Sequence, residues 1–76
     1  MEINIGTHIR ALRRARGYRS AAALAAALCL SGYSCSASAV KSWEAGRRLP
    51  TLPAIMALCK LLDVSADRLI FGPTEK

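Results

Sequence analysis

The stretch SASAVKSWEAGRRLP, residues 36–50, combines hydroxyl and basic side chains with a helix cap and a helix end. Ser36 can cap a helix and Gly46 can end it, and the residues between them form slightly less than about three helical turns. At about 100° per residue Val40 and Trp43 share one apolar side, whereas the opposite side is small, polar or basic. That opposite side consists of Ser38, Lys41, Ser42 and Ala45, and it is followed by Arg47 and Arg48. Hydroxyl groups can donate hydrogen bonds to acceptors, and cations can contact phosphates. The pattern therefore predicts binding to a groove that is lined with hydrogen-bond acceptors.

The residue types give little support to other chemistry. The sequence has no carboxylate pair, no nucleophile–base arrangement and no phosphate-cradling glycine loop, so we expect a protein that is not an enzyme. Its three cysteines, Cys29, Cys35 and Cys59, form no C-x-x-C pair, and the one histidine, His8, is remote in sequence. We therefore expect no metal site, no cofactor, and thiols that act as buried or half-buried small hydrophobic groups. Such cysteine usage indicates a reducing, cytoplasmic setting.

The charge of the chain is large and unevenly distributed. Its 76 residues carry a net charge of +6, and no acidic side chain occurs between Ile3 and Trp43. This imbalance favours a polyanionic partner, either a nucleic acid or an acidic membrane surface, and the alternative is a solvated basic face. The apolar run Ala21–Leu30 is too short to span a bilayer, so no membrane segment is predicted. The length allows one domain, residues 1–76, with an ordered core from about residue 4 to residue 71.

The hydrophobic periodicity predicts five short helices, and no segment has the period-two alternation of a strand. The first helix is expected from about Asn4 to Arg16, with an apolar stripe of Ile5, Ile9 and Leu12. Predicted N-caps are Ser20, Ser36, Thr51 and Ser65, which begin helices over about 21–31, 37–45, 52 onwards and 66–70. The fold class is therefore all-α, a compact bundle of five short helices.

Apolar residues of the second and fourth helices define most of the expected core. The second helix contributes Leu24, Ala25 and Leu28. The expected inner face of the fourth helix consists of Leu52, Ile55, Met56, Cys59 and Leu62. Four further apolar side chains supply surplus surface: Leu58, Leu61, Ile70 and Phe71. This surplus predicts a homodimer with these four residues as interface candidates.

The chain resembles the Cro/repressor-type helix-turn-helix domains, also called the XRE family. The matching segments are IGTHIRALRRARG, SAAALAAAL, SASAVKSWEAGRRLPTL and LCKLLDVSADRLI, which together cover nearly the whole chain. The run W-E-x-G-x-x-x-P at Trp43–Pro50, followed by L-x-x-L-x-V-S-x-x-x-L ending at Leu69, is fairly specific in combination. The resemblance implies a lambda-repressor-like fold and a dimer that binds double-stranded DNA sequence-specifically, usually to repress transcription. It also implies a bacterial or phage-encoded protein that is associated with the nucleoid.

Two features depart from the pattern of this family. A glutamine that contacts a phosphate usually follows the cap of the second helix, whereas this chain has Ala21 there. The turn between the second and third helices is normally about four residues long. Here it is expected to run from Cys29 to Cys35, which changes the angle between the helices and brings Tyr33 or Ser34 towards the DNA.

Roles for single residues follow from placing the helix of residues 36–45 in the major groove. The base-facing candidates are Ala37, Ser38, Lys41 and Ser42, and Lys41 reaches either guanine or a phosphate. The phosphate candidates are Arg19, Ser20, Ser36, Arg47 and Arg48, with solvated surface charge as the alternative for the arginines. We expect Trp43 in the core rather than against a base or sugar.

Glu44 lies at the edge of the predicted inner face, where a lone carboxylate is costly. It therefore needs a cation, and both Arg13 and Arg16 border the apolar stripe of the first helix. The family pattern, counted back from the glycine that ends that helix, implies Arg13. We expect a structural Arg13–Glu44 ion pair that fixes orientation, against the alternative of a solvent-facing Glu44.

The leading hypothesis is a homodimeric, sequence-specific transcriptional regulator, usually a repressor, that binds half-sites about one helical turn apart. The second hypothesis is a protein-interaction module, such as an antitoxin-like or anti-repressor partner. The alanine-rich second helix and the weak base readers on the third support this alternative. No small-molecule substrate is evident.

Overall fold

A computed structural model of the chain describes residues 5–72. These residues form five α-helices and no strand, which confirms the all-α expectation: α1 (Ile5–Ala15), α2 (Ala21–Leu30), α3 (Ala37–Ala45), α4 (Leu52–Leu62) and α5 (Ala66–Phe71). The predicted start of the first helix at Asn4 lies outside the described residues. The Cα radius of gyration is 11.3 Å, close to the value of about 11 Å expected for a compact chain of this length.

Hydroxyl side chains begin four of the helices, because each satisfies a backbone N–H that the first turn leaves without a partner. The side-chain oxygens of Ser20, Ser36, Thr51 and Ser65 accept from the amides of Ala23, Ala39, Ala54 and Arg68. All four predicted caps are confirmed. Three helix ends differ by one residue from the prediction, since α1 stops at Ala15, α2 stops at Leu30 and α5 continues to Phe71, whereas α3 ends at Ala45 as predicted.

The core lies where the five helices meet. The predicted inward residues of α1, α2 and α3 are all buried: Ile5, Ile9, Leu12, Leu24, Ala25, Leu28, Val40 and Trp43. Leu69 of α5 is also fully buried, so even this short helix is held by an apolar side chain. α2 packs against α3, while α1 packs against both α3 and α5. This arrangement fixes α3 between α1 and α2.

The inner face predicted for α4 is only partly correct: Leu62 is buried and Ile55 and Cys59 are half-buried, but the other two predicted members are exposed. The buried residues of this helix are Ala54, Leu58 and Leu62, spaced four apart, whereas Leu52 and Met56 are 69% and 60% exposed. Because α4 is apolar around most of its circumference, its periodicity does not select one face. Packing against the neighbouring helices selects the face on which the small Ala54 is buried.

Gly6 of α1 allows an unusually close approach between α1 and α3. A Cβ atom at this position would overlap the carbonyl oxygen of Trp43 and lie 2.9 Å from that of Glu44. Both atoms belong to the backbone of the last turn of α3 and cannot move without the helix. Gly6 therefore sets the distance at which α3 is held.

Among the described residues, no helix combines the length and the apolar character that crossing a lipid bilayer requires.

Candidate nucleic-acid interface

The helix α3 is anchored by one side and closed at both ends by local interactions. Val40 is completely buried and Trp43 is 6% exposed, so Trp43 is a core residue as predicted. Gly46 has φ of +79°, and its N–H and that of Arg47 donate to the last-turn carbonyls of Trp43 and Ser42. Only a residue that tolerates the left-handed conformation ends a helix in this way at low cost. The orientation of α3 about its own axis is thereby fixed.

The outward side of α3 is a narrow strip of small and basic side chains. Ser38, Lys41 and Ala45 are exposed, at a spacing of three and four residues that places them on one face. Ala37 and Ser42 are half-buried, and Ala37 packs against the core cluster. The base-facing candidates therefore divide into two central residues, Ser38 and Lys41, and two at the edges of the strip.

All five phosphate candidates, Arg19, Ser20, Ser36, Arg47 and Arg48, are exposed. Arg19 precedes the cap of α2, while Arg47 and Arg48 follow the end of α3, so the arginines flank the α2–α3 pair. Within residues 5–72 none of these three arginines forms an ion pair or a side-chain hydrogen bond. These exposed guanidinium groups are of the kind that pairs with phosphates, as are the N-terminal amides of α2 and α3.

Ala21, which stands where the family usually has a phosphate-binding glutamine, is buried against the core. The methyl group at this position serves packing and offers no hydrogen bond outwards. The N-terminus of α2 therefore presents only backbone amides and Ser20 to a ligand.

Arg13 and Glu44 form the ion pair that the family pattern implied. The Nε atom of Arg13 donates to Oε2 of Glu44 at 2.8 Å, and Nη2 donates to Oε1 at 3.3 Å. Nη1 of Arg13 donates to the carbonyl oxygen of Tyr18 at 2.9 Å, which fills the third side of the guanidinium. The two side chains are 6% and 12% exposed, so water screens the pair only slightly. The pair ties α3 to α1 and offsets the one acidic charge on α3.

His8 of α1 and Arg16, which directly follows α1, contact two other helices, and the sequence pattern assigned neither role. Arg16 donates from Nε to the carbonyl oxygen of Leu62 at 2.7 Å and from Nη2 to that of Asp63 at 3.4 Å. A cation at the C-terminus of α4 is favourable because carbonyl groups there lack partners. The Nδ1 atom of His8 lies 2.9 Å from the carbonyl oxygen of Leu69 in α5. No local signal marks either contact, since the partners are separated by 46 and 61 residues.

The turn between α2 and α3 spans residues 31–36, because Cys29 and Leu30 still belong to α2. The expectation that the turn begins at Cys29 is wrong for this reason. Tyr33 is half-buried and packs against the core, and its hydroxyl lies 3.4 Å from Oγ1 of Thr51. Ser34 is exposed. The extra turn residues are thus partly held by the N-terminal end of α4.

Burial corrects the expectations for the dimer candidates. Leu58 is completely buried and cannot form an interface, so that prediction is wrong. Leu61 and Ile70 are half-buried, and Phe71 is 60% exposed. An apolar groove of about 280 Å³ has Ile70 in its wall; the other lining residues are Ile5, Leu49, Pro50 and Ile55. Of these lining residues Leu49 is 74% exposed, a feature that the sequence pattern did not indicate.

The described part of the chain contains no group of three histidine, cysteine or acidic residues placed to hold a metal ion. Cys29 is exposed, which contradicts the expectation of a buried or half-buried thiol, whereas Cys35 and Cys59 are half-buried as expected. Burial raises the pKa of the Cys59 thiol.

Comparison with known proteins agrees with this geometry. The model of a protein family described as "Helix-turn-helix domain" matches residues 4–69, and this family is of the Cro/XRE type. No curated protein and no solved structure matches the chain with significance.

Proposed function

The chain belongs to the helix-turn-helix domain family, and we propose that it is a sequence-specific double-stranded DNA-binding regulator of transcription that acts as a repressor. The observation that carries the proposal is the outward strip of α3, where Ser38 and Lys41 are exposed while Val40 and Trp43 anchor the opposite side. An α-helix fits the major groove of B-DNA, and this strip would face the base edges. Helix-turn-helix domains of this class are typically non-enzymatic.

The exposed arginines around α2 and α3 are proposed to position the domain on the phosphate backbone. Arg19 would hold one side of the α2–α3 pair and Arg47 and Arg48 the other, because they flank that pair and have no ionic partner within residues 5–72. Ser20 and Ser36 would add the amides of the helix N-termini that they cap. These contacts supply affinity without sequence information.

Base recognition is proposed to rest on few groups. Ser38 both donates and accepts, so it discriminates poorly among bases, and the methyl group of Ala37 offers contact with thymine. Lys41 in the centre of the strip is the side chain that can reach guanine. Ser42 is half-buried at the edge and would reach only a base that approaches closely. Modest specificity, assisted by DNA shape, follows from this set.

Selection of bound duplexes from a random pool would identify the operator sequence. Measuring the affinity at several salt concentrations would then separate phosphate contacts from base contacts. Replacing Arg47 or Arg48 by glutamine should weaken binding to all duplexes and reduce the salt slope by about one for each phosphate that the protein no longer neutralises. Replacing Lys41 by alanine should instead reduce the difference in affinity between the selected duplexes and random duplexes.

The control for these variants is Arg68→Gln, which removes the same charge from an exposed position on α5, a helix that packs against α1 and α4. This substitution should leave the salt slope and the selectivity unchanged. A flat salt dependence of the unmodified protein, or no enrichment of any duplex over the starting pool, would refute the proposed function.

We place the homodimer contact at the groove that Ile70 lines rather than on Leu58. Leu49 in the wall of this groove exposes 74% of its surface, and all the residues that line the groove have apolar side chains. Sedimentation should show a dimer that Leu49→Glu dissociates, whereas Leu30→Glu, at the exposed end of α2, should not dissociate it. A monomer at all concentrations, free and on DNA, would contradict the dimer.

The second candidate is a protein-interaction module with an antitoxin-like or anti-repressor role. The exposed apolar side chains Leu30, Leu52 and Met56 favour it, since they lie outside the groove assigned to the dimer. A chain that remains insoluble unless a neighbouring protein is co-expressed, and that shifts no genomic fragment on a gel, would select this candidate over DNA binding.

A further inference from the structure

Two cysteines delimit the turn that joins α2 and α3. Cys29 lies in the last turn of α2, and Cys35 stands directly before Ser36, the N-cap of α3. Cys29 is exposed and Cys35 is half-buried. Oxidants in solution therefore reach the first thiol, while the second is held at the edge of the core.

The two residues are in contact. The thiol of Cys29 donates a hydrogen bond to the carbonyl oxygen of Cys35, and the sulfur lies 3.3 Å from that oxygen. Burial, together with negative charge on Cys29, raises the pKa of the Cys35 thiol, so the two sulfurs lie close enough to interact electrostatically. Cys59 lies on α4, outside this turn. The turn thus holds an accessible thiol beside a protected one, which is the arrangement of a reactive cysteine and its resolving partner.

We propose that Cys29 and Cys35 are a redox-modification site that a peroxide converts into an intramolecular disulfide and that a dithiol reductant returns to two thiols by thiol–disulfide exchange. The thiolate of Cys29 attacks one peroxide oxygen, an S–O bond forms, the O–O bond breaks, and the leaving hydroxide takes up the thiol proton as water. The sulfur of Cys35 then displaces hydroxide from the sulfenic acid, and the S–S bond replaces the S–O bond. The Cys35 proton leaves with that hydroxide as a second water, so two thiols are oxidised and one peroxide is reduced.

The disulfide changes the contact that now joins the two residues. Its formation removes the thiol hydrogen that donates to the Cys35 carbonyl and draws the Cys35 side chain from its half-buried place towards exposed Cys29. Ser36 follows in sequence and caps α3, so the N-terminus of α3 moves relative to α2. This consequence rests on the proposed function: the oxidised domain binds its duplex about tenfold or more weakly, because a small misplacement of the reading helix removes base contacts.

Peptide mapping tests the site without reference to DNA. The reduced full chain is treated with hydrogen peroxide, unfolded, alkylated at remaining thiols and digested with chymotrypsin, which can cut after Tyr33 between the two cysteines. The expected result is a peptide pair joined through Cys29 and Cys35, alkylation at Cys59 alone, and recovery of all three thiols with dithiothreitol. The matched variants are Cys29→Ser and Cys35→Ser, which should abolish the cross-link, and Cys59→Ser, which should retain it.

Alkylation of both turn cysteines after peroxide would overturn the proposal, as would a cross-link that contains Cys59 or joins two chains. The Cys59→Ser protein is then titrated with the selected duplex before oxidation, after oxidation and after re-reduction. A reversible loss of about tenfold supports the coupling to DNA binding, and equal affinities refute that coupling while the mapped disulfide stands. Absence of DNA binding by the reduced protein would refute the proposed function and leave the mapping result intact.

Discussion

Replacing Gly6 by alanine tests whether the close approach of α1 to α3 holds the reading helix in place. The added methyl group would overlap the carbonyl oxygen of Trp43 and lie 2.9 Å from that of Glu44. Contacts this short force the surrounding structure to shift. The atoms that must move belong to the backbone of α3, so the whole helix has to be displaced.

The expected cost follows from two opposed effects. Overpacking a close contact costs about 1–3 kcal/mol, whereas the higher helix propensity of alanine returns up to about 1 kcal/mol. Because the obstructing atoms are main-chain atoms rather than a flexible side chain, the steric cost should prevail. A net loss of about 1–2 kcal/mol in the free energy of unfolding is expected, which lowers the melting temperature by about 5–15 °C for a domain of this size.

Thermal unfolding followed by circular dichroism measures this loss, and the matched control is Thr7→Ala, an exposed neighbour in α1 whose change should stay within about 0.5 kcal/mol. Below its melting point the Gly6→Ala protein should also bind the selected duplex more weakly, because α3 is displaced. A Gly6→Ala protein that melts at or above the temperature of the unmodified chain would refute the reasoning, since propensity would then outweigh the steric overlap.

Three further predictions concern side chains at the contacts between helices. Glu44→Gln removes the negative charge from an ion pair that is barely exposed. The free energy of unfolding in urea should fall by about 1.5–3 kcal/mol, and DNA binding should weaken. Unchanged values in both assays would show that the pair contributes to neither. Leu58→Ala leaves a cavity at a fully buried site and should lower the free energy of unfolding by about 2–5 kcal/mol. Met56→Ala, on the exposed side of the same helix, should lower it by about 0.5 kcal/mol or less. Similar losses for the two variants would contradict the observed buried face of α4. Arg16→Gln removes a cation from the carbonyl end of α4 and should lower the free energy of unfolding in urea by about 0.3–1 kcal/mol, more at low salt than at high salt; equal losses at both salt concentrations would argue against this electrostatic role.

Local chemistry made the starts of α2, α3, α4 and α5 predictable. A hydroxyl side chain before an apolar-periodic segment can satisfy an orphan N–H without help from distant residues, which is why the caps at Ser20, Ser36, Thr51 and Ser65 were predicted correctly. The anchored side of α3 was predictable for a similar reason, since Val40 and Trp43 stand out against small and polar neighbours. The Arg13–Glu44 ion pair was predicted from the family pattern. The residues alone did not decide whether Arg13 or Arg16 is the partner of Glu44.

The properties that required tertiary structure depend on surfaces far apart in sequence. α4 has apolar residues on several sides, and the buried face at Ala54, Leu58 and Leu62 is set by the helices that cover it. Gly6 is buried against the backbone of α3, and its role depends on a separation that no sequence pattern records. Arg16 reaches the end of α4 across 46 residues. The sequence by itself determined where α2, α3, α4 and α5 begin and how α3 is oriented about its axis, because those choices depend on neighbours along the chain. The tertiary structure decided how far apart the helices lie and which apolar side chains stay exposed, because distance and burial depend on what packs against each face.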